Sequence, residues 1–175
     1  MRRHLGSLFI FCHLLSVVTL AKVAPPFQAK TIQGENISLK TALKPNRVLL
    51  LTFWASWCSP CLEELNHVTT RMKNEPSTPL DLLTINVDTS ETALDVKPTI
   101  KLHKFEMPVV LDPKHEIFAK YHQGKTLPFS VLIGPDGQIA ETFNGYHEEM
   151  FTKIKQVISE KKSPLPIKEA NAQKK

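Results

Sequence analysis

The sequence predicts an α/β domain built on one central mixed β-sheet with helices on its faces. A nearly unbroken apolar run over residues 48–55 is typical of a buried strand, residues 80–87 predict a second buried strand, and a segment with helical periodicity lies between them. Near the end of the chain, residues 134–137 (Gly-Pro-Asp-Gly) separate two further strand-like segments, which predicts an antiparallel hairpin. Strands that alternate with helices indicate a parallel core, to which the late hairpin adds antiparallel strands.

The 175 residues are enough for one domain with a full hydrophobic core. We expect a signal peptide or N-terminal membrane anchor over residues 1–21, the folded domain over 22–160 and a disordered basic tail over 161–175. The first segment has a basic start, an apolar stretch, and small residues at a cleavage point after Ala21. Its apolar stretch is short for a bilayer span, which needs about 20 residues, and an uncleaved anchor stays an alternative.

The net positive charge of the chain is modest. Removal of residues 1–21 leaves 20 basic against 17 acidic residues, and much of the surplus lies in the terminal lysines. The sequence has no basic stripe with interleaved aromatic residues, which argues against a nucleic-acid-binding surface. We therefore expect no nucleic-acid partner.

The remaining helices and strands are predicted from the local sequence pattern. An N-terminal hairpin with Gly34 at its turn precedes one helical turn that ends before Pro45. The long helix is expected over residues 59–73, where Pro60 is tolerated because the first turn needs no amide donor. Further along the chain we predict a helix within 90–105 that starts or is interrupted near Pro98, a strand at 109–111, a helix at 116–121, hairpin strands at 129–133 and 138–143, and an amphipathic helix at 147–160.

Two closely spaced cysteines are the most informative feature of the sequence. Cys58 and Cys61 follow the first buried run and open the long helix, and the third cysteine, Cys12, lies in the N-terminal segment. A disulfide across four residues removes little chain entropy, so it is a poor structural brace. Such a pair in an exported domain indicates redox chemistry or metal binding instead.

The residues around this pair resemble a known family. Residues 53–61 read Phe-Trp-Ala-Ser-Trp-Cys-Ser-Pro-Cys, and with residues 127–129 (Leu-Pro-Phe) they are similar to the thioredoxin superfamily. The early hairpin, the segment 107–112 and the late hairpin resemble its TlpA/ResA branch of exported or membrane-tethered thiol–disulfide oxidoreductases. The resemblance covers residues 25–160 and implies a thioredoxin-like fold with an N-terminal β-hairpin extension.

The position of each cysteine suggests its role. A helix N-terminus stabilises a thiolate, so Cys58 is expected to be the nucleophile and Cys61 the resolving thiol. The resemblance implies that Pro128 is a cis-proline beside the cysteines, which turns the Leu127 backbone toward an incoming peptide. Trp57 is expected to contribute apolar surface to substrate binding.

Glu64 follows Cys61 by three positions, on nearly the same helical face. The resemblance implies that an acid at this position tunes the pKa values of the cysteines, whereas the alternative is an ordinary exposed glutamate like Glu63. Two departures from the family pattern matter: Thr52 stands where thioredoxin has a buried aspartate, and Asn66 stands where a proline is frequent. A hydroxyl cannot act as that base, so Glu64 or water must accept the proton.

We expect an enzyme, a periplasmic or otherwise extracytoplasmic thiol–disulfide oxidoreductase that reduces protein disulfides through Cys58 and Cys61 and needs no cofactor. The resemblance implies protein clients, a membrane electron donor or acceptor and a role in cytochrome c maturation or metal-site assembly. We also expect a monomer, with a membrane tether as an option for its N-terminus.

Two other classes of protein remain as alternatives. A thioredoxin-like metallochaperone would bind metal through Cys58 and Cys61, although two cysteines make only half of a zinc set. The histidines that could complete it are not clustered in the sequence, so we expect no metal site: His67, His103, His115, His122 and His147. A peroxiredoxin is disfavoured because the paired motif replaces the single peroxidatic cysteine.

Overall fold

The computed structural model describes residues 22–162, so the predicted signal segment and most of the predicted tail lie outside the described residues. The strands are β1 (Gln28–Lys30), β2 (Asn36–Ser38), β3 (Val48–Trp54), β4 (Leu80–Asn86), β5 (Val109–Leu111), β6 (Phe129–Ile133) and β7 (Ile139–Asn144). The helices are α1 (Leu39–Ala42), α2 (Ser59–Asn74), α3 (Val96–His103), α4 (Phe118–Tyr121) and α5 (Met150–Lys162). The predicted α/β class with its N-terminal hairpin is confirmed.

The central sheet has the strand order β5-β4-β3-β6-β7. Strands β3, β4 and β5 are parallel, and β6 and β7 are antiparallel additions, as the sequence predicts. In this register Thr52 of β3 is paired with Thr84 of β4 on one side and with Ser130 of β6 on the other. The register therefore brings a hydroxyl of β6 next to a hydroxyl of β3, in the middle of the sheet.

Strand β3 lies at the centre of the core. All seven of its residues are buried, so both faces of the sheet are covered at this strand, in agreement with its apolar sequence. Phe53 is surrounded by the aromatic rings of Phe118, Tyr121 and Phe129, with centroid distances of 5.1, 5.6 and 6.0 Å. This packing anchors the strand whose carboxyl end leads directly into the two cysteines.

The N-terminal hairpin covers an edge of the central sheet. Strands β1 and β2 are antiparallel, and Gly34 adopts a positive φ of 89° in the turn between them. The Ile32 amide donates to the Val109 carbonyl at 2.8 Å, and Thr31 forms a bridge to Val110. The hairpin therefore protects β5, the edge strand that would otherwise expose unpaired backbone groups.

The segment after β4 shows where the helix predicted within residues 90–105 begins. A short 3₁₀ turn over Ala93–Asp95 precedes α3, which begins two residues before Pro98. Pro98 therefore lies in the first helical turn, where a missing amide donor costs nothing. None of the helices within residues 22–162 is both long enough and apolar enough to cross a bilayer.

Candidate active site

The two cysteines form a disulfide at the N-terminus of α2. The Cys58–Cys61 bond has an S–S distance of 2.02 Å and a Cα–Cα distance of 5.3 Å. Cys58 is the N-cap residue, and its carbonyl accepts the amides of Cys61 and Leu62 at 3.0 and 3.1 Å. Cys58 keeps 5% of its surface exposed, whereas Cys61 is fully buried. An incoming sulfur therefore has access to Cys58 rather than to Cys61.

Pro128 lies at the same end of the sheet as the disulfide. The Leu127–Pro128 peptide bond is cis, as the family resemblance implies. Because Phe129 pairs with Phe53, Pro128 comes level with the carboxyl end of β3, from which the chain continues to the cysteines. The Pro128 carbonyl accepts the Gly145 amide at 2.8 Å.

Trp57 and Leu127 line one groove beside this turn. The groove has a volume of about 610 Å³, and its lining also includes Val87, Phe118 and Ala119. Trp57 is 64% exposed, an unusual state for so large an apolar side chain. The fold thus brings together two predicted substrate-binding residues that lie 70 positions apart in the sequence.

Glu64 is fully buried, which makes the exposed-glutamate alternative wrong; the neighbouring Glu63 is the exposed one. The Ser130 hydroxyl donates to Glu64 Oε1 at 2.6 Å, and Thr52 Oγ1 lies 2.8 Å from Ser130 Oγ. Glu64 Oε2 is buried and has no hydrogen-bond partner among the described residues. Burial raises the pKa of Glu64 to about 7, and the hydrogen bond from Ser130 offsets part of that rise.

Asp88 is a buried acid that the sequence analysis missed. It follows β4 and is 2% exposed. Its Oδ2 accepts the Ser56 amide at 2.7 Å and the Asn86 side-chain amide at 2.7 Å, and its Oδ1 accepts the Ser56 hydroxyl at 2.6 Å. Asp88 therefore fixes the turn that presents Trp57 and Cys58.

The sequence analysis also missed Ser130, and a signal for Asp88 and for Ser130 is present in the sequence. Asn86 and Asp88 are polar residues on either side of Val87 at the end of a predicted buried strand, and Ser130 interrupts the apolar sequence of β6. Polar groups in buried strands need hydrogen-bond partners, so such interruptions mark sites for closer attention.

The histidines do not gather around the disulfide. His115 Nε2 lies 2.8 Å from the Val87 carbonyl, His67 Nδ1 lies 2.5 Å from the Tyr146 hydroxyl, and the His122 ring stacks on Phe129. Within residues 22–162, His, Cys, Asp and Glu side chains form no group of three or more that is placed to hold a metal ion.

The comparisons with known proteins agree with this geometry. The sequence pattern of the AhpC/TSA family matches residues 20–162, which is most of the chain. The chain belongs to the AhpC/TSA family. This family member is 39% identical over 119 residues to sporulation thiol-disulfide oxidoreductase A of Bacillus subtilis, an alignment that covers 66% of this chain and 68% of that protein. It is 32% identical over 126 residues to thiol-disulfide oxidoreductase ResA of Bacillus cereus, with 72% and 70% covered.

Solved structures extend the comparison of this AhpC/TSA family member. The structure of StoA from Bacillus subtilis has 34% sequence identity and a TM-score of 0.61, and the match covers 75% of this chain and 96% of that one. A putative thiol:disulfide interchange protein DsbE from Chlorobium tepidum has a TM-score of 0.69 and 79% and 96% coverage; at 23% identity it supports the fold alone. The predicted thioredoxin-like fold and the predicted class of redox enzyme, a thiol–disulfide oxidoreductase, are confirmed.

Proposed function

We propose that this protein reduces disulfide bonds of client proteins outside the cytoplasm, with Cys58 as the attacking thiol and Cys61 as the resolving thiol. The observation that carries the proposal is the Cys58–Cys61 disulfide at the start of α2, with Cys61 fully buried. The free amides and dipole of the helix N-terminus stabilise a thiolate, which is the reactive form of cysteine.

The reaction takes two exchange steps. First, the Cys58 thiolate attacks one sulfur of the client disulfide; a Cys58–client bond forms, and the other client sulfur leaves as a thiolate and takes up a proton. Second, Cys61 loses its proton and attacks Cys58 Sγ, which closes the Cys58–Cys61 disulfide and releases the second client thiolate, which is then protonated. Two electrons pass to the client, and a dithiol donor must supply two electrons to regenerate the enzyme.

Glu64 accepts the proton of Cys61 in the second step. It lies one helical turn after Cys61, and both residues are fully buried. Burial raises the pKa of Glu64 to about 7, so the carboxyl group can gain and lose a proton near neutral pH. The buried aspartate of thioredoxin is replaced by Thr52, which leaves Glu64 as the acid of the site.

The client binds between Trp57 and Leu127. Exposed aromatic surface beside the nucleophile favours an apolar segment of a client polypeptide, and the backbone before Pro128 can pair with it in the manner of an added strand. Residues 1–21 direct export or tether the protein to the membrane, where a membrane protein supplies electrons. The clients are proteins of cytochrome c maturation or of metal-site assembly, and the enzyme acts as a monomer.

Insulin reduction and the reduction potential of the pair test the proposal. We expect a potential of about −270 mV or lower, as in thioredoxin, rather than one near about −120 mV, as in the oxidant DsbA. Cys58→Ser should abolish insulin reduction, and Cys61→Ser should accumulate a mixed disulfide with the client. Cys12→Ser, which changes a cysteine outside the proposed site, is the control and should keep full activity.

Other outcomes would contradict the proposal. A reduction potential near that of DsbA would show that the protein oxidises its clients instead of reducing them. Stoichiometric tight binding of zinc to the reduced protein, without insulin reduction, would favour the metallochaperone. Faster reaction with hydrogen peroxide than with disulfides would favour the peroxiredoxin alternative.

A further inference from the structure

A chain of two hydroxyl groups leads to Glu64 from the centre of the sheet. Thr52 of β3, Ser130 of β6 and Glu64 of α2 are all fully buried, and they come from three different elements. Thr52 Oγ1 lies 2.8 Å from Ser130 Oγ, and Ser130 Oγ lies 2.6 Å from Glu64 Oε1. The pairing of Thr52 with Ser130 in the β3–β6 register fixes the first of these contacts.

The direction of these hydrogen bonds follows from counting protons. A hydroxyl carries one proton, and the proton of Ser130 is donated to Glu64 Oε1. The oxygen of Ser130 is then available only as an acceptor, so Thr52 must be the donor in the contact between them. The chain therefore runs from Thr52 through Ser130 to Oε1 of Glu64.

The two oxygens of Glu64 consequently differ. Oε1 accepts the Ser130 hydroxyl, whereas Oε2 is buried and accepts no hydrogen bond from any described residue. A buried carboxylate oxygen without a partner disfavours the charged form, and a proton on that oxygen relieves the cost. The exchangeable proton of Glu64 belongs on Oε2.

We propose that Thr52 and Ser130 are positioning residues for proton transfer: their hydroxyl chain holds Glu64 by Oε1 and reserves Oε2 for the proton exchanged with Cys61. The inference rests on the proposed reduction mechanism, in which Glu64 takes that proton. It also gives Thr52 a role, although a hydroxyl cannot replace the aspartate of thioredoxin as a base.

The titratable groups around Glu64 come from its own helix and from the segment after β7. Cys61 precedes Glu64 on α2, and β3 and β6 contribute the hydroxyls of Thr52 and Ser130 to its hydrogen-bond chain. Tyr146, which follows β7, is the other group that responds to Glu64: burial, Glu148, Glu63 and Glu64 raise its pKa, and Arg71 lowers it. In the oxidised protein the cysteines do not titrate, so Cys61 does not contribute to the titration of Glu64. His67, one helical turn after Glu64 on α2, contacts the Tyr146 hydroxyl.

The test is the ¹³C NMR titration of the Glu64 carboxyl carbon in the oxidised full chain, with Glu64→Gln to assign the signal. We expect a wild-type midpoint of about 7. Ser130→Ala removes a hydrogen bond to the charged form and should raise the midpoint by about one pH unit. Thr52→Val should raise it by a smaller amount, because it acts through Ser130. Ser130→Thr keeps the hydroxyl and should restore the wild-type midpoint.

Thr84→Val is the matched control. Thr84 is fully buried and pairs with Thr52 in the sheet, but its hydroxyl donates to the Pro108 carbonyl at 3.0 Å. That carbonyl also accepts the Thr84 amide at 3.1 Å, so it keeps a partner when the hydroxyl is removed. The Glu64 midpoint should be unchanged in this variant.

An unchanged midpoint in both Ser130→Ala and Thr52→Val, with native spectra, would overturn the inference. If Ser130→Ala does not fold, the titration of Thr52→Val alone tests the hydroxyl chain, and an unchanged Glu64 midpoint in that variant would overturn the inference. The titration needs neither client nor turnover, so a shifted midpoint without insulin reduction would refute the proposed function and leave the hydroxyl chain intact. In the reduced enzyme, Ser130→Ala should shift the pH profile of insulin reduction, and it should have no such effect in the Glu64→Gln background.

Discussion

Two buried acids lie near the Cys58–Cys61 pair, and their surroundings are opposite. Asp88 accepts three hydrogen bonds, and both of its oxygens are used. Glu64 accepts one hydrogen bond from Ser130, and its second oxygen has no partner among the described residues. Asp88 acts on the turn before Cys58, and Glu64 lies one helical turn after Cys61.

The difference separates a structural acid from a chemical one. A carboxyl group whose oxygens are both bonded holds its neighbours in place, and disturbing it exposes several unsatisfied donors. A carboxyl group with one free buried oxygen is poised to take up a proton, because burial penalises its charge. The same type of side chain therefore fixes geometry on one side of the pair and exchanges protons on the other.

The largest expected effect on the free energy of unfolding comes from removing the carboxyl group of Asp88, the structural acid. Asp88→Ala leaves the Ser56 amide and the Asn86 amide without their acceptor, and we expect a loss of about 3 kcal/mol in the free energy of unfolding, measured in urea. Asp88→Asn should lose only about 1 kcal/mol, because its carbonyl can take the place of Oδ2 while its amide faces the Ser56 hydroxyl, which can accept.

Equal losses in the two Asp88 variants would show that charge, rather than hydrogen bonding, is what Asp88 contributes. Asp95→Ala is the control, because Asp95 is an exposed acid. Its free energy of unfolding should stay within about 0.5 kcal/mol of the wild type.

The second prediction concerns Glu64 and the pH dependence of the free energy of unfolding. The pKa of Glu64 is about 7 in the folded protein against an ordinary value of 4.5. Between these pH values the folded protein holds a proton that the unfolded chain has released, so stability falls as the pH rises through this window. The expected fall is about 3 kcal/mol at most, and urea denaturation at a series of pH values measures it.

Glu64→Gln should remove this contribution to the pH dependence, whereas Glu63→Gln, at the exposed neighbouring position, should keep it. If the stability of Glu64→Gln still falls with pH as in the wild type, Glu64 does not titrate in this range. The distinction between Asp88 as a structural acid and Glu64 as a proton-exchanging acid would then be wrong.

The smallest predicted effect again concerns Asp88. Ser56→Ala removes the hydroxyl that donates to Asp88 Oδ1 but keeps the backbone amide that donates to Oδ2. We expect a loss of about 1 kcal/mol in the free energy of unfolding, with no change in the titration of Glu64. A shift in that titration would mean that the two acids are coupled through the turn between them.

The elements of the fold were largely predictable because each depends on local pattern. The apolar run at residues 48–55 predicts a buried strand, and the helix after Cys58 follows from its periodicity and from Pro60 in its first turn. Local pattern leaves the start of the helix in residues 90–105 open, because Pro98 fits either a helix start or an interruption. The structure places it in the first turn of α3.

The sequence by itself determined the class of fold, the redox pair and its position at a helix N-terminus, because spacing and periodicity are local properties. The burial of Glu64 and the roles of Ser130 and Asp88 were decided only by the tertiary structure. Ser130 reaches Glu64 across 66 positions of the chain, and Asp88 reaches Ser56 across 32. Such contacts depend on strand register and on which helical face packs inward, and only the assembled sheet and its helices fix both.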